Sequence, residues 1–511
     1  MKTVQQHLAR LAMIFVLTLN ATLALASDSS DRPNILIAIT DYHSWLHTSA
    51  QGSPFVDTPN IDTVSEQGTR FNNAYAGSPG CSPSRAALLS GQHHWMIGPA
   101  GTHGSTFPVH YEVYTDVLEN SGYKIGYTGK GWGPGNWYMA GRTRSPAGEE
   151  YKEIKLQGEI PVGINNMDYA SNFAAFMEER KGENDGRPFY FWVGSHEPHL
   201  RYEEGPRTEE ELATAVVPAF MPDTAASRSM MLDYADEIEH FDRHMGRILA
   251  TLEKHGELEN TLIIFTADNG MPMPRAKANG YDYGIHVPLY MRWDKKGQKG
   301  QVIDGPVGFT DVSATILAAA GLPVPDHYVG RSLLPVVLGQ KEELDYDHAV
   351  YSGRERHSSV RHHNLGYPQR MMRRGDYLVI WSMKPDRYPA GAPRELVDGE
   401  LSPPHSAYYD IDDSVSKREL LAKWDDPYIG KFFHLAVDKR PEWELFNVKD
   451  DPECLNDLAG NPEYASLLAE YQQQLKTTLE ETGDPRLHGY GHVWEDHPRT
   501  RGSMRYFPKP D

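Results

Sequence analysis

Cysteine is nearly absent: Cys81 and Cys454 are the only two in 511 residues. No disulfide framework is available, so stability must come from the core. Beyond residues 1–26 no apolar run approaches the roughly 20 residues that a membrane-crossing helix needs, and no membrane span is expected. Positive charge is also scarce, since 50 Lys and Arg against 70 Asp and Glu leave a formal net charge of −20. That balance argues against docking on nucleic acid or on anionic lipid. The one Asn-x-Ser/Thr sequon, at Asn20, falls in a segment expected to be removed, so nothing marks the rest as a eukaryotic glycoprotein. Internal repeats and long low-complexity tracts are absent as well.

What is present begins with Lys2 and Arg10, an apolar run from Leu11 to Leu19, and Ala24-Leu25-Ala26. This is the order of a cleavable secretory signal over residues 1–26, with a periplasmic or secreted destination. The remainder divides by texture. Residues 27–345 alternate strand-like and helix-like segments. Residues 346–511 are richer in Tyr, Arg and Pro, with a strand-like piece at Tyr377–Trp381, an amphipathic stretch from Glu463 to about Glu480, and a polar tail from Asp484.

Four short apolar runs in the first part each end in chemically capable residues. Asn34–Thr40 runs into Asp41, Lys124–Thr128 into Lys130, Phe189–Val193 into His196, and Leu262–Thr266 into Asp268 and Asn269. Such runs read as buried parallel strands. Ligands in open α/β sheets bind outside the carboxyl ends of the strands, so the polar residues are predicted to share one crevice. Between them, Thr58-Pro59 and Gly68 frame a short helix. A longer one is predicted from Arg228 to Lys254, where Met231, Tyr234, Ile238, Phe241, Met245, Ile248 and Leu252 recur at helical spacing.

Cys81-Ser82-Pro83-Ser84-Arg85 precedes the helix former Ala86-Ala87-Leu88-Leu89-Ser90 and Gly91. Cys81 is therefore expected at a helix N-terminus, where free N–H groups favour an anion, with Arg85 one turn on as a fixed positive charge. A lone Cys is ordinarily a buried structural thiol, and its setting in this pattern favours function. The densest cationic run, Arg354 to His363, is either a solvated loop or part of an anion pocket.

The Cys81–Arg85 segment resembles the signature of the type I sulfatases, in which a maturation enzyme oxidises the Cys to formylglycine. Arg32-Pro33-Asn34-Ile35-Leu36, Thr128-Gly129-Lys130, His196-Glu197-Pro198-His199, Asp268-Asn269-Gly270 and Glu444-Leu445-Phe446-Asn447 extend the resemblance over nearly the whole chain. Pro272-Met273-Pro274, Tyr367-Pro368-Gln369-Arg370 and Thr482-Gly483-Asp484-Pro485 are similar to the heparan N-sulfatase branch and its bacterial relatives. The resemblance implies an alkaline-phosphatase-like α/β fold, with a large mixed sheet flanked by helices and a smaller C-terminal domain holding an antiparallel sheet. It implies one calcium ion held by Asp41, Asp268, Asn269 and residue 81. It also implies catalytic roles for Cys81, Arg85, Lys130, His196 and Lys277, with His196 as general acid and the two lysines on the sulfate oxygens.

Two positions depart from that family. Tyr42 stands where a second aspartate is usual, and Trp132 where a histidine normally helps expel sulfate; His103, Asp268 or water is left to take over. His103, Trp132, Arg354, His357 and Arg370 are the candidate substrate-binding residues. The expected activity is O-sulfate hydrolysis on oligosaccharides of an ulvan- or glycosaminoglycan-type polysaccharide, exo-acting, with sulfamidase action as the runner-up. A phosphatase or phosphodiesterase of the same superfamily would place Ser or Thr at the nucleophile and need more metal ligands. A catalytically weak glycan-binding relative would rest on Tyr42 and Trp132 alone.

Overall fold

The computed structural model describes residues 32–509 except Asn184 and Ser503; the predicted signal segment lies outside them. The larger sheet has nine strands: β1 (Asn34–Thr40), β2 (Thr69–Tyr75), β3 (Lys124–Gly129), β4 (Glu149–Glu150), β5 (Phe189–Gly194), β6 (Thr261–Ala267), β7 (His286–Arg292), β8 (Gln301–Ile303) and β9 (Val307–Gly308). Their order is β4-β3-β5-β1-β6-β7-β2-β8, with β9 also on β2. Both contacts of β7 are antiparallel and every other pairing is parallel, so the sheet is mixed.

The central strands are apolar throughout because both their faces are covered. On β1, Ile35, Ile37 and Ile39 enter one core with Trp192 and Leu289. Leu36 and Ala38 enter the opposite core with Phe265, Phe241 and Met245. Phe241 and Met245 belong to the long helix Ala225–Lys254, capped by Thr224 accepting from Ser227 N. All seven residues of its predicted stripe are buried. At the shorter helix Pro59–Glu66, Thr58 does not cap with its side chain; its Oγ1 donates to Asp62 Oδ1 at 2.9 Å instead.

The smaller sheet is antiparallel, in the order β10 (Val350–Arg354), β11 (Gln369–Arg374), β12 (Tyr377–Ser382), β15 (Trp443–Asn447); β13 (Leu396–Val397) and β14 (Glu400–Leu401) form a separate hairpin. Helix Ala465–Glu481 covers this sheet through Tyr471, Leu475 and Leu479. The two sheets meet where Gly353 N donates to Gly77 O at 3.2 Å and Ser352 Oγ donates to Ala76 O. No helix among the described residues is long and apolar enough to cross a membrane.

Candidate active site

Strand register assembles the site. Thr40 lies opposite Ala267, Ile39 opposite Gly194, and Gly194 opposite Gly129. Asp41, Asp268, Ser195 and Lys130 therefore leave the sheet side by side. Lys277 precedes β7, whose reversed direction starts it at the same edge. Cys81 opens helix Cys81–Ser90 a few residues after β2, with Gly80 at the cap and Gly91 closing the helix at φ 64°, a left-handed turn that glycine adopts without strain.

Donor atoms of Asp41, Cys81 and Asp268 lie within 4.8 Å of one another, all buried. Asp268 accepts from Arg85 Nε at 2.7 Å and from Tyr42 N at 3.1 Å. Asp41 Oδ2 accepts from Lys130 Nζ at 2.5 Å. Arg85, fully buried, also donates to Lys130 O at 2.6 Å. Burial opposes the charge of Asp41, but Lys130 and Arg85 outweigh it and hold its carboxyl below the usual range. Burial and the neighbouring Asp41 push Asp268 up to about 6.

Three polar atoms of this cluster have no partner: Asp41 Oδ1, Asn269 Oδ1 and Arg85 Nη2. Buried polar atoms are satisfied almost everywhere in folded proteins. Two orphaned oxygens, one on Asp41 and one on Asn269, next to the Asp268 carboxylate are the donor set of a hard cation, so the residues fit the calcium that the resemblance implies. Burial, then the Asp41 charge, pushes the Cys81 thiol up to about 12. Cys81 is therefore a neutral thiol at ordinary pH and no thiolate nucleophile as it stands.

Around this centre, burial together with Lys130 and Arg85 lowers His196 to about 3, leaving a neutral imidazole. Its backbone N–H is fixed by Tyr169 Oη and Glu197 Oε2, both at 3.1 Å. Burial draws Lys277 down to about 8 against the pull of Cys81 and Asp41. Its ammonium lies 4.4 Å from the centre of the Tyr42 ring and pairs with Asp412.

Tyr42 fills the place of the missing aspartate, with a left-handed backbone at φ 70°. Its hydroxyl meets His357 Nε2 at 2.9 Å, and His357 Nδ1 meets Asp410 at 3.0 Å. The His103 ring lies 4.3 Å from the His357 ring, and its Nδ1 has no partner. Tyr42, Asp410 and Asp412 are absent from the sequence-based site. The acidic string Asp410-Ile411-Asp412-Asp413, complementary to the cationic run at 354–363, is the signal that would have found two of them.

Three expectations are corrected. Trp132 is a core residue: its Nε1 donates to Ser82 O at 3.0 Å, its ring packs on Phe107, and it is 5% exposed. Arg370 is 0% exposed, its guanidinium paired to Glu355 at 2.7 Å and Asp484 at 2.6 Å. Arg354 is buried against Asp410 and Asn279. Neither arginine is free to touch a sugar. The run from Arg354 is thus neither a solvated loop nor an anion pocket, because Asp410 gathers Arg354, His357 and Arg361. Burial disfavours the Asp410 charge, but these three partners hold the carboxyl far below its usual range.

Comparison with known proteins agrees with this geometry. The family profile described as "Sulfatase" matches residues 33–322, over half the chain. The profile "N-sulphoglucosamine sulphohydrolase, C-terminal" matches residues 276–369. The human N-sulphoglucosamine sulphohydrolase is 25% identical over 88% of this chain and 91% of its own. An ulvan-active sulfatase of Formosa agariphila is 24% identical over 89% of this chain and 76% of its own. A structure solved with its substrate D-glucosamine-2-N,6-O-disulfate superposes with a TM-score of 0.62 at 20% identity, covering 89% of this chain and 98% of that one; at that identity the likeness speaks for the fold. The chain belongs to the sulfatase family, and so to the sulfuric ester hydrolases.

Proposed function

We propose that this sulfatase is an exported, formylglycine- and calcium-dependent enzyme that removes O-sulfate from the end of oligosaccharides of a sulfated, uronate-containing polysaccharide of the ulvan or glycosaminoglycan type. The observation that carries the chemistry is the buried Asp41–Cys81–Asp268 group with orphaned oxygens on Asp41 and Asn269. Asp41, Asp268, Asn269 and residue 81 would hold the calcium. Formylglycine made from Cys81 by a maturation enzyme would supply a hydroxyl nucleophile, and calcium would supply positive charge beside it.

The chain's own residues do the rest. Arg85 and Lys130 hold Asp268 and Asp41 in place and keep positive charge at the row of strand ends. Lys130 and Lys277 face the sulfate oxygens, where charge builds in the transition state of a site shielded from water. An anionic sulfate beside His196 would favour its protonated form against Lys130 and Arg85, and the imidazolium would give its proton to the departing sugar oxygen and end neutral. Export rests on residues 1–26, and the periplasm or the medium follows from it.

The polysaccharide class is supported by the ulvan-active relative and by a Bacteroides thetaiotaomicron N-acetylglucosamine-6-O-sulfatase that is 23% identical over 91% of this chain and 90% of its own. A sulfamidase reading is favoured by the match of residues 276–369. The test has two parts. Mass spectrometry of the Cys81 peptide from native cells should show conversion to formylglycine, and a wholly unmodified peptide defeats the mechanism. Sulfate release from ulvan and glycosaminoglycan oligosaccharides should fall on chelation and return with calcium. Release from N-sulfoglucosamine alone would overturn the O-sulfatase assignment.

A further inference from the structure

Two chain segments that leave the active site wall a second cavity. Beyond His199, whose ring packs edge-on against Tyr42 at 4.9 Å, the chain continues as Leu200-Arg201. Beyond Asp410, which holds His357, it continues as Ile411-Asp412-Asp413. These segments line one cavity of about 440 Å3, closed by Tyr409, Lys417, Arg418 and Arg505. Asp412 connects the two sites, because its carboxylate pairs with Lys277, whose ammonium lies 4.4 Å from the centre of the Tyr42 ring. The cavity therefore begins one ion pair away from Lys277, the lysine assigned above to the sulfate oxygens.

Its charges do not cancel. Asp412 is taken by Lys277, and Arg418 is taken by Glu204 and Asp413. Arg201, Lys417 and Arg505 have no carboxylate at ion-pair distance among the described residues. Lys417 is held by two backbone carbonyls, Tyr408 O at 3.1 Å and Ile411 O at 2.8 Å. The Arg505 guanidinium lies 4.0 Å from the centre of the Tyr409 ring, which orients it while leaving its N–H fork free. In a chain of net charge −20, three cations without an ion-pair partner, against the one surplus carboxylate on Arg418, leave a net positive field for an anion on one concave wall.

We propose that this cavity is the subsite for a second anionic group of the substrate, a carboxylate or sulfate carried in addition to the scissile sulfate. Arg201 and Arg505 are its specificity-determining residues, and Lys417 supplies background charge. The ligand class is a sugar with at least two anionic groups. This rests on the sulfatase reading above and replaces Arg354 and Arg370, which are buried in other ion pairs, as the reader of the second group.

The experiment uses the matured full-length enzyme and the double variant Arg201→Ala, Arg505→Ala. Substrates are an aryl monosulfate, a monosulfated disaccharide with a uronate, and a disulfated sugar without one. Charge-assisted contacts of this kind change affinity by about tenfold or more. The kcat/KM ratio of each dianionic substrate over the aryl sulfate should therefore fall at least about tenfold. A fall with the uronate alone assigns a carboxylate, and a fall with the disulfated sugar alone assigns a sulfate. An unchanged ratio for both overturns the subsite.

Calorimetric binding of the same saccharides to Cys81→Ala protein, with and without the double substitution, reads the subsite independently of turnover. If no substrate is hydrolysed but binding weakens in the double variant, the sulfatase mechanism fails and the subsite stands. If binding is unaffected, the subsite fails whatever the turnover.

Discussion

The buried arginine–carboxylate clusters around Arg370 and around Arg85 differ in how completely they are satisfied. Around Arg370, Nε and Nη2 meet Asp484, Nη2 meets Glu355, and Nη1 meets the carbonyls of Arg354 and Gln369. Arg486 completes the knot by pairing with Glu355. Around Arg85 the pairing is unfinished, with Nη2, Asp41 Oδ1 and Asn269 Oδ1 left over. The Arg370 network holds parts of the chain together, whereas the leftovers around Arg85 include two oxygens, on Asp41 and Asn269, next to the Asp268 carboxylate, which is where a hard cation would sit. Composition alone cannot tell them apart, which is why Arg370 reads from sequence as a substrate contact.

The sharpest break of this comparison is expected at Cys81. Cys81→Ala should lower sulfate release by about a thousandfold or more, as removal of a nucleophile does, while the thermal midpoint stays within a few degrees. A large drop in the midpoint would move Cys81 to the structural side.

The converse is expected for Arg370→Ala. It leaves Asp484 and Glu355 as buried charges short of a partner and should cost about 3–5 kcal/mol of stability, read by denaturant unfolding. Activity per folded molecule should survive; a selective rise in KM for saccharides would return Arg370 to the binding site.

Glu237 tests the rule where it is weakest. It is 4% exposed on the long helix, and neither carboxylate oxygen has a partner. Burial, then the charges of Glu197 and Asp233, pushes it up to about 10. A carboxyl raised in the folded state contributes its full share of stability below the unfolded pKa near 4.5, and loses it as pH rises toward about 10. Stability should therefore fall by up to roughly 3 kcal/mol between pH 6 and pH 8, one proton's worth over two pH units. Glu237→Gln should flatten that slope, as followed by denaturation at both pH values. An unaltered slope would show that Glu237 is already ionised and paired with something bound.

The smallest effect is expected at Trp132. Trp132→Phe keeps the packing on Phe107 and loses one hydrogen bond to Ser82 O, so about 1 kcal/mol is at stake and saccharide KM should barely move. A tenfold rise in KM would place Trp132 on the sugar after all.

Much of the larger sheet was legible because its central strands are buried on both faces and so read as unbroken apolar runs. Each predicted strand agrees with the observed one to within a residue at each end. The helix opening at Cys81 was legible from the helix former Ala86–Ser90 that follows Cys81–Arg85 and from Gly91, which closes it. What the sequence hid is pairing at long range: Arg370 finds Asp484 114 positions later, and Arg354 finds Asp410 56 positions later. A cationic run looks uncompensated until the chain folds back on it. Tyr42 was hidden for a related reason, since its link to His357 spans 315 positions and its left-handed backbone has no signature in a tyrosine.

The contact that joins the two sheets also sets a clock. Cys81, 2% exposed, follows Ala76 and Gly77, whose backbone carbonyls meet their partners when Ser352 and Gly353 arrive; the first bond spans 276 positions. A chain produced N-terminus first at about 5–20 residues per second leaves these two carbonyls without those partners for some tens of seconds. Any enzyme that oxidises Cys81 must work within that interval or on a chain kept open. Faster export or folding would then lower the fraction of active molecules while leaving the amount of folded protein unchanged.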